Sequence, residues 1–308
     1  MILNDKKKDG VKNKNQQNAT MNSGKQLRSS FMLLLTAIIW GFAFVAQSVG
    51  IDAMGPLTFN GTRNVLGSLV LIPLILIFKK TGVIQGKALT KDAVIGGICC
   101  GLCLFVASTV QQYGVMYSTV GKASFITALY VVIVPVMGLF TGKKASFKLW
   151  LSVIIAVIGM YFLCIKEEIV LGKGDVLLLL GAFFFSVHIL VIDHFSPKAN
   201  GVVISSIQFM VAGVLSLIGM TIFETPTLQA IQDGWVAIAY AGICSCGIAY
   251  TCQIVFQKDL PPTAASLILS LESVFGALGG WLILGQALSG REIAGCIMMF
   301  AAIILAQI

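Results

Sequence analysis

GLCLFVASTVQQYGVMYSTVGKASFITALYVVIVPVMG at residues 101–138 and ICSCGIAYTCQIVFQKDLPPTAASLILSLESVFGALGG at residues 243–280 align without a gap at an offset of 142. Nine positions are identical: Ala107/Ala249, Thr109/Thr251, Gln111/Gln253, Ala123/Ala265, Ser124/Ser266, Ile126/Ile268, Leu129/Leu271, Val132/Val274 and Gly138/Gly280. Self-similarity at a fixed offset is the mark of an internally repeated fold. An offset of 145 extends it, laying Leu33–Val45 over Leu178–Leu190 and Arg63 over Gln208.

Working outward, apolar stretches of near-membrane length fill the rest of the chain. They run approximately over 31–50, 56–78, 93–114, 121–141, 148–165, 174–192, 201–223, 235–256, 263–284 and 290–307. A hydrocarbon layer about 30 Å thick needs about 20 helical residues to cross it, and backbone groups in lipid must be satisfied within their own segment. The expectation is an all-α membrane protein of ten transmembrane helices. A disordered basic tail occupies 1–30, and two five-helix repeats occupy 31–165 and 174–307. Because five is odd, the second repeat enters the membrane from the opposite side to the first, so the repeat is inverted.

Composition excludes the main soluble classes. The 308-residue chain has a mean hydropathy of +0.93, with 57% hydrophobic and 11% charged residues. Its net charge of +8 could suggest a nucleic-acid partner, but the basic residues lie in loops and the tail. With the N-terminus in the cytoplasm, sixteen of the 21 Lys and Arg fall inside, four outside (Lys122, Lys166, Lys173, Arg291) and Arg63 within a span. That asymmetry places both termini in the cytoplasm of a multi-pass protein of the cytoplasmic membrane. A signal peptide is the competing reading of the N-terminus. The long charged leader and the repeat counterpart of the first span argue against it.

All eight cysteines fall within expected spans, where they act as small apolar residues. Cys100-x-x-Cys103 and Cys244-x-Cys246 lack a nearby histidine, so neither a metal nor a disulfide framework is expected, and no cofactor motif is present. Gly97-x-x-x-Gly101 and Gly276-x-x-x-Gly280 read as close helix packing, and Pro135 as a kink that makes a half-helix.

Charged residues inside spans are costly and normally face a cavity or a partner. Arg63 lies roughly 10 Å below the outer face and Glu272 roughly 13 Å above the inner one at 1.5 Å per residue, so one midplane site can hold both. The repeat lays Glu272 over Tyr130 and Arg63 over Gln208. A cavity lined by Arg63, Tyr130, Gln208 and Glu272 follows, with Gln111 and Gln253 as a symmetric amide pair nearby. The plain alternative is an Arg63–Glu272 ion pair that only fixes helix packing. Arg63 suits a carboxylate or phosphate. Glu272 suits proton exchange, and His188 is a candidate relay partner.

These residues resemble the drug/metabolite transporter superfamily, in its ten-helix EamA-type branch, over nearly all of 31–307. The resemblance rests on Trp40-Gly41, Arg63, the run QQYGVMYSTVGKASFITALYVVIVP from 111 to 135, AASLILSLESVFGALGGWLILGQ from 264 to 286, and Gly159 and Gly295. It implies two inverted five-helix repeats around a central cavity, movement of small metabolites such as amino acids, and Trp40, Arg63 and Glu272 at or near the pathway. One departure is that Lys143 and Gln286 follow the glycines ending the fourth and ninth spans, where the family usually has glutamate. The expected function is secondary transport of a small organic metabolite by alternating access, with export the expected direction and protons a candidate coupling ion. A nucleotide sugar is a further substrate class within the superfamily. The alternatives are an intramembrane enzyme using Glu272 and His188, and a channel.

Overall fold

A computed structural model describes the backbone of residues 2–140, 142, 146–164, 172–285 and 289–307. Lys143 and Gln286, where the sequence departs from the family pattern, lie outside them. The described residues are helical throughout, without strands. Helix α1 runs Ile2–Ala53, α2 Pro56–Lys80, α3 Lys91–Val115, α4 Val120–Ala128, α5 Tyr130–Phe140, α6 Phe147–Cys164, α7 Lys173–Phe195 and α8 Gly201–Phe223. After the short α9, Leu228–Asp233, one continuous rod contains α10 (Trp235–Ala239), a π-helical segment (Tyr240–Tyr250) and α11 (Thr251–Gln257). Helices α12 (Pro262–Leu269), α13 (Glu272–Leu284) and α14 (Gly290–Gln307) complete the chain.

Among the described residues, eight helical stretches are long and apolar enough to cross a membrane: Gly24–Ala53, Pro56–Lys80, Lys91–Val115, Val120–Phe140, Lys173–Phe195, Gly201–Phe223, Trp235–Gln257 and Pro262–Ile283. The shorter apolar α6 packs along α14. Helical backbone begins at Ile2, where the sequence reading expects disorder; no proline interrupts the chain before Pro56.

Local chemistry sets the helix ends. Thr90, Thr119 and Asn200 accept from backbone N–H groups in the first turns of α3, α4 and α8. Pro56 and Pro262 occupy first-turn positions that need no donor. Helix α2 is capped from a distance: Leu57 N and Thr58 N each donate to the Glu224 carboxylate at 2.8 Å, and Thr58 Oγ1 donates at 2.6 Å.

Burial departs from that of a water-soluble protein. Leu69, Leu76, Leu102, Ile154, Ile218, Leu282 and Ile297 face outward, whereas Gln47, Asn60, Arg63, Gln112, Gln208, Gln257 and Glu272 are buried. That distribution suits a hydrocarbon solvent.

Packing follows the repeat. Helix α2 lies along α8 and α6 along α14; α1 contacts α13, α12 and the π-helical segment; α7 contacts α5, α4 and α3; α3 lies on α8 as the π-helical segment lies on α2. Exchanging the halves maps α2 onto α8, α6 onto α14, and every other pair onto another pair of the set. Glycines allow the closest approaches. A Cβ on Gly41 would meet Phe275 backbone carbon at 2.6 Å, and one on Gly101 would meet the Gln208 carbonyl oxygen at 2.8 Å. Gly97 and Gly101 therefore do place α3 against α8.

Two spans are broken, at repeat-equivalent positions. Helix α4 gives way to α5 at Leu129, and α12 to α13 at Ser270 and Leu271. At both breaks the bonding tightens to three-residue closure: Leu129 N donates to Ile126 O and Leu271 N to Ile268 O, each at 3.2 Å. The Ser270 hydroxyl donates to Leu267 O and that of Ser273 to Ser270 O, in competition with the helical ladder. Pro135 is not the cause in the first half, since it lies inside α5, six residues past Leu129.

Candidate functional site

The first residue after each break is a site candidate, Tyr130 in α5 and Glu272 in α13. Neither the Tyr130 hydroxyl nor Glu272 Oε1 has a hydrogen-bond partner among the described residues. Both line one cavity with Trp40, Ala43, Phe44 and Gln47 of α1, Arg63 of α2, Gln111 of α3, Thr127 of α4, Phe185 of α7, and Ser245 and Tyr250 of the π-helical segment. Its cavity volume is about 30 Å³, room for a water molecule or two, and it is neither fully enclosed nor a flat surface.

Arg63 and Glu272 are 5% and 4% exposed, so each charge has left solvent. They share the cavity without forming an ion pair, since the ion pairs among the described residues are Lys25–Asp259 and Lys122–Asp175. The Arg63 guanidinium lies 5.3 Å from the Phe59 ring centroid. Arg63 Nε, Glu272 Oε1, the Tyr130 hydroxyl, Trp40 Nε1 and Gln47 Oε1 find no hydrogen-bond partner among the described residues. Each such group costs about 1–3 kcal/mol when buried unsatisfied. Five of them around one cavity suit a ligand that brings both charges and several hydrogen-bonding groups.

Of the residues singled out from sequence, Trp40, Arg63, Gln111, Tyr130 and Glu272 meet at this cavity, where Gln111 Nε2 donates to Thr127 Oγ1 at 3.2 Å. Gln208, Gln253 and His188 do not line it. His188 Nε2 lies 3.0 Å from Gln208 Oε1, and Gln253 Nε2 donates to Gln257 Oε1 at 3.1 Å. A polar atom of each is taken up by another of the three or by Gln257, and the Tyr250 ring stands between Trp40, at 4.5 Å, and His188, at 6.0 Å.

Sequence reasoning missed Ala43, Phe44, Gln47, Thr127, Phe185, Ser245 and Tyr250. Helical spacing could have found the first three, because positions 40, 43, 44 and 47 form one face. Ser245 and Tyr250 are five apart, a spacing that a π-helix brings into register and an α-helix does not.

The chain superposes on a crystal structure with a TM-score of 0.75 over 91% of this chain and 96% of the other at 16% sequence identity, which shows a shared fold. A transporter of Archaeoglobus fulgidus is 28% identical over 285 residues, covering 92% of this chain and 87% of its own. An S-adenosylmethionine/S-adenosylhomocysteine transporter of Chlamydia muridarum is 24% identical over 296 residues, covering 88% and 91%. These relatives are transporters, not enzymes. The EamA-like transporter family matches twice, at residues 27–165 and 172–307, once on each half of the chain. With nearly the whole sequence accounted for by those two matches, this multi-pass membrane protein belongs to the EamA-like transporter family.

Proposed function

We propose that the protein is a secondary transporter that moves a small organic zwitterion, of the amino-acid kind, across the cytoplasmic membrane by alternating access, in the direction of export. The observation that carries this reading is the pair of buried, mutually unpaired charges at one cavity, Arg63 and Glu272. A guanidinium binds a carboxylate through two parallel hydrogen bonds, and a carboxylate facing aromatic rings receives an ammonium or sulfonium. The cavity thus complements a molecule with an acid at one end and a cation near it. The named Chlamydia relative extends the candidates to S-adenosyl compounds, which carry both groups.

Ten spans in two inverted halves, with both termini cytoplasmic, are part of the same reading. Its support is the packing pattern that survives exchange of the halves and the paired breaks at Leu129 and Leu271. Discontinuous helices at a midplane site between inverted repeats are a recurrent transporter design. Glu272 is the candidate carrier of a coupling proton, with Tyr130 beside it.

The test is proteoliposome transport with an internal pH indicator and a panel of amino acids, S-adenosylmethionine and S-adenosylhomocysteine, backed by radiolabelled counterflow. A substrate-evoked pH signal in the parent protein that Glu272→Gln abolishes supports proton-coupled transport through Glu272. Absence of counterflow for every zwitterion on the panel sinks the substrate class.

A further inference from the structure

Beneath the cavity floor lies a second polar cluster, fully buried. His188, Gln208, Gln253 and Gln257 are each at most 1% exposed. His188 and Gln208 are paired, Gln253 donates to Gln257, and Gln257 Nε2 donates to Ile189 O at 2.8 Å. Gln208 Nε2 and Gln253 Oε1 remain without partners among the described residues, as does Thr251 Oγ1 nearby. Four uncharged polar side chains in a membrane interior, with two amide atoms unused, are more than packing requires.

The repeat gives the cluster its meaning. At the offset of 145, His188 is the counterpart of Ala43 and Gln208 of Arg63; at 142, Gln253 is the counterpart of Gln111. Ala43, Arg63 and Gln111 all line the open cavity, and all three counterparts are sealed below it. Tyr250 separates the two sets, with Trp40 against one face and His188 at its edge. From Tyr250 the positions 253 and 257 continue along one stripe of α11 toward the end of the bundle where α1 enters.

We infer that His188, Gln208, Gln253 and Gln257 are the other half of the translocation pathway, a second substrate subsite closed by Trp40 and Tyr250 and opened when the cavity above it closes. The inference rests on the transporter reading and deepens it. The two subsites differ in chemistry. The upper one meets a carboxylate with the fixed charge of Arg63; the lower one offers the neutral donor of Gln208 and the acceptor of Gln253 to the carboxylate and ammonium of a zwitterion. A substrate is therefore held more weakly below than above.

The test is sided thiol labelling. Single cysteines are placed at Gln111, Gln253, Gln257 and, as a packed control, Ile254, in a chain whose own cysteines are replaced by serine or alanine. Each is treated with a membrane-impermeant maleimide in intact cells and in inverted membrane vesicles, and counterflow is measured on the same variants. Gln111→Cys should react from one face, Gln253→Cys and Gln257→Cys from the opposite face, and Ile254→Cys at least tenfold more slowly than either. The inference is overturned if 253 and 257 are unreactive from both faces in membranes where Gln111→Cys reacts, if they react from the same face as 111, or if 254 reacts as fast. Opposite-face labelling without counterflow of any zwitterion, in the parent chain as well, leaves a two-sided pathway and sinks the substrate class instead.

Discussion

Arg63 and Glu272 carry the residue-scale argument, because each is a buried charge that its surroundings leave short of a partner. A hydrogen bond to a charged group is worth about 1.5–3 kcal/mol, and about 1.4 kcal/mol is a factor of ten. Arg63→Ala should therefore reduce counterflow by roughly 10- to 100-fold, and Arg63→Lys, which keeps charge but loses the two-pronged geometry, should restore only part of it. Both charges were legible in the sequence, since intramembrane charge is rare enough to stand out unaided. That they meet at one cavity without pairing was not legible. Two helices with suitable depths can turn their charged faces toward or away from each other, and depth alone does not give rotation. Gln208 illustrates the limit: its repeat position matches Arg63, yet its amide oxygen is paired with His188 and it does not line the cavity.

Among the elements, the broken spans and the close-packed helices invite separate tests. Gly41 admits α13 so closely that any side chain must displace backbone. Gly41→Val should destabilise the detergent-solubilised protein by about 1–3 kcal/mol, measured as a lowered thermal unfolding midpoint. Glu224 serves as a cap for α2 from the far end of α8, so Glu224→Ala should cost about 1 kcal/mol in the same assay. Span existence was visible in hydropathy, and the α3–α8 contact in the Gly97 and Gly101 spacing. The break at Leu129 was not, because the sequence signal pointed to Pro135. A proline inside a helix removes one bond, whereas the observed break comes from tightened turns that no residue type announces. The π-helical segment was hidden for the same reason, and with it the cavity residues Ser245 and Tyr250.

For the whole molecule, the proposed alternating-access cycle makes the cavity and the sealed lower cluster one of two arrangements, and contacts at the lower end should bias the choice between them. Ser29 Oγ donates to Asp259 Oδ2 at 2.9 Å and Lys25 lies 3.7 Å from Asp259 Oδ1, joining the entry of α1 to the turn before α12. Exposed pairs of this kind are worth about 0.2–1 kcal/mol. Asp259→Asn should accordingly raise maleimide labelling of Gln253→Cys by roughly two- to fivefold while leaving that of Ile254→Cys unchanged. By itself the sequence determined that the chain folds in a membrane, that its two halves are related, and that Arg63, Tyr130 and Glu272 fall within apolar spans. These are matters of composition, period and offset, which hydrocarbon and helix geometry translate directly into depth. Only the tertiary structure decided which of the repeat-related residues face the cavity and which are sealed beneath Tyr250. That choice rests on helix rotation, on two breaks, and on which end of the bundle is packed shut, and none of these leaves a periodic trace in the chain.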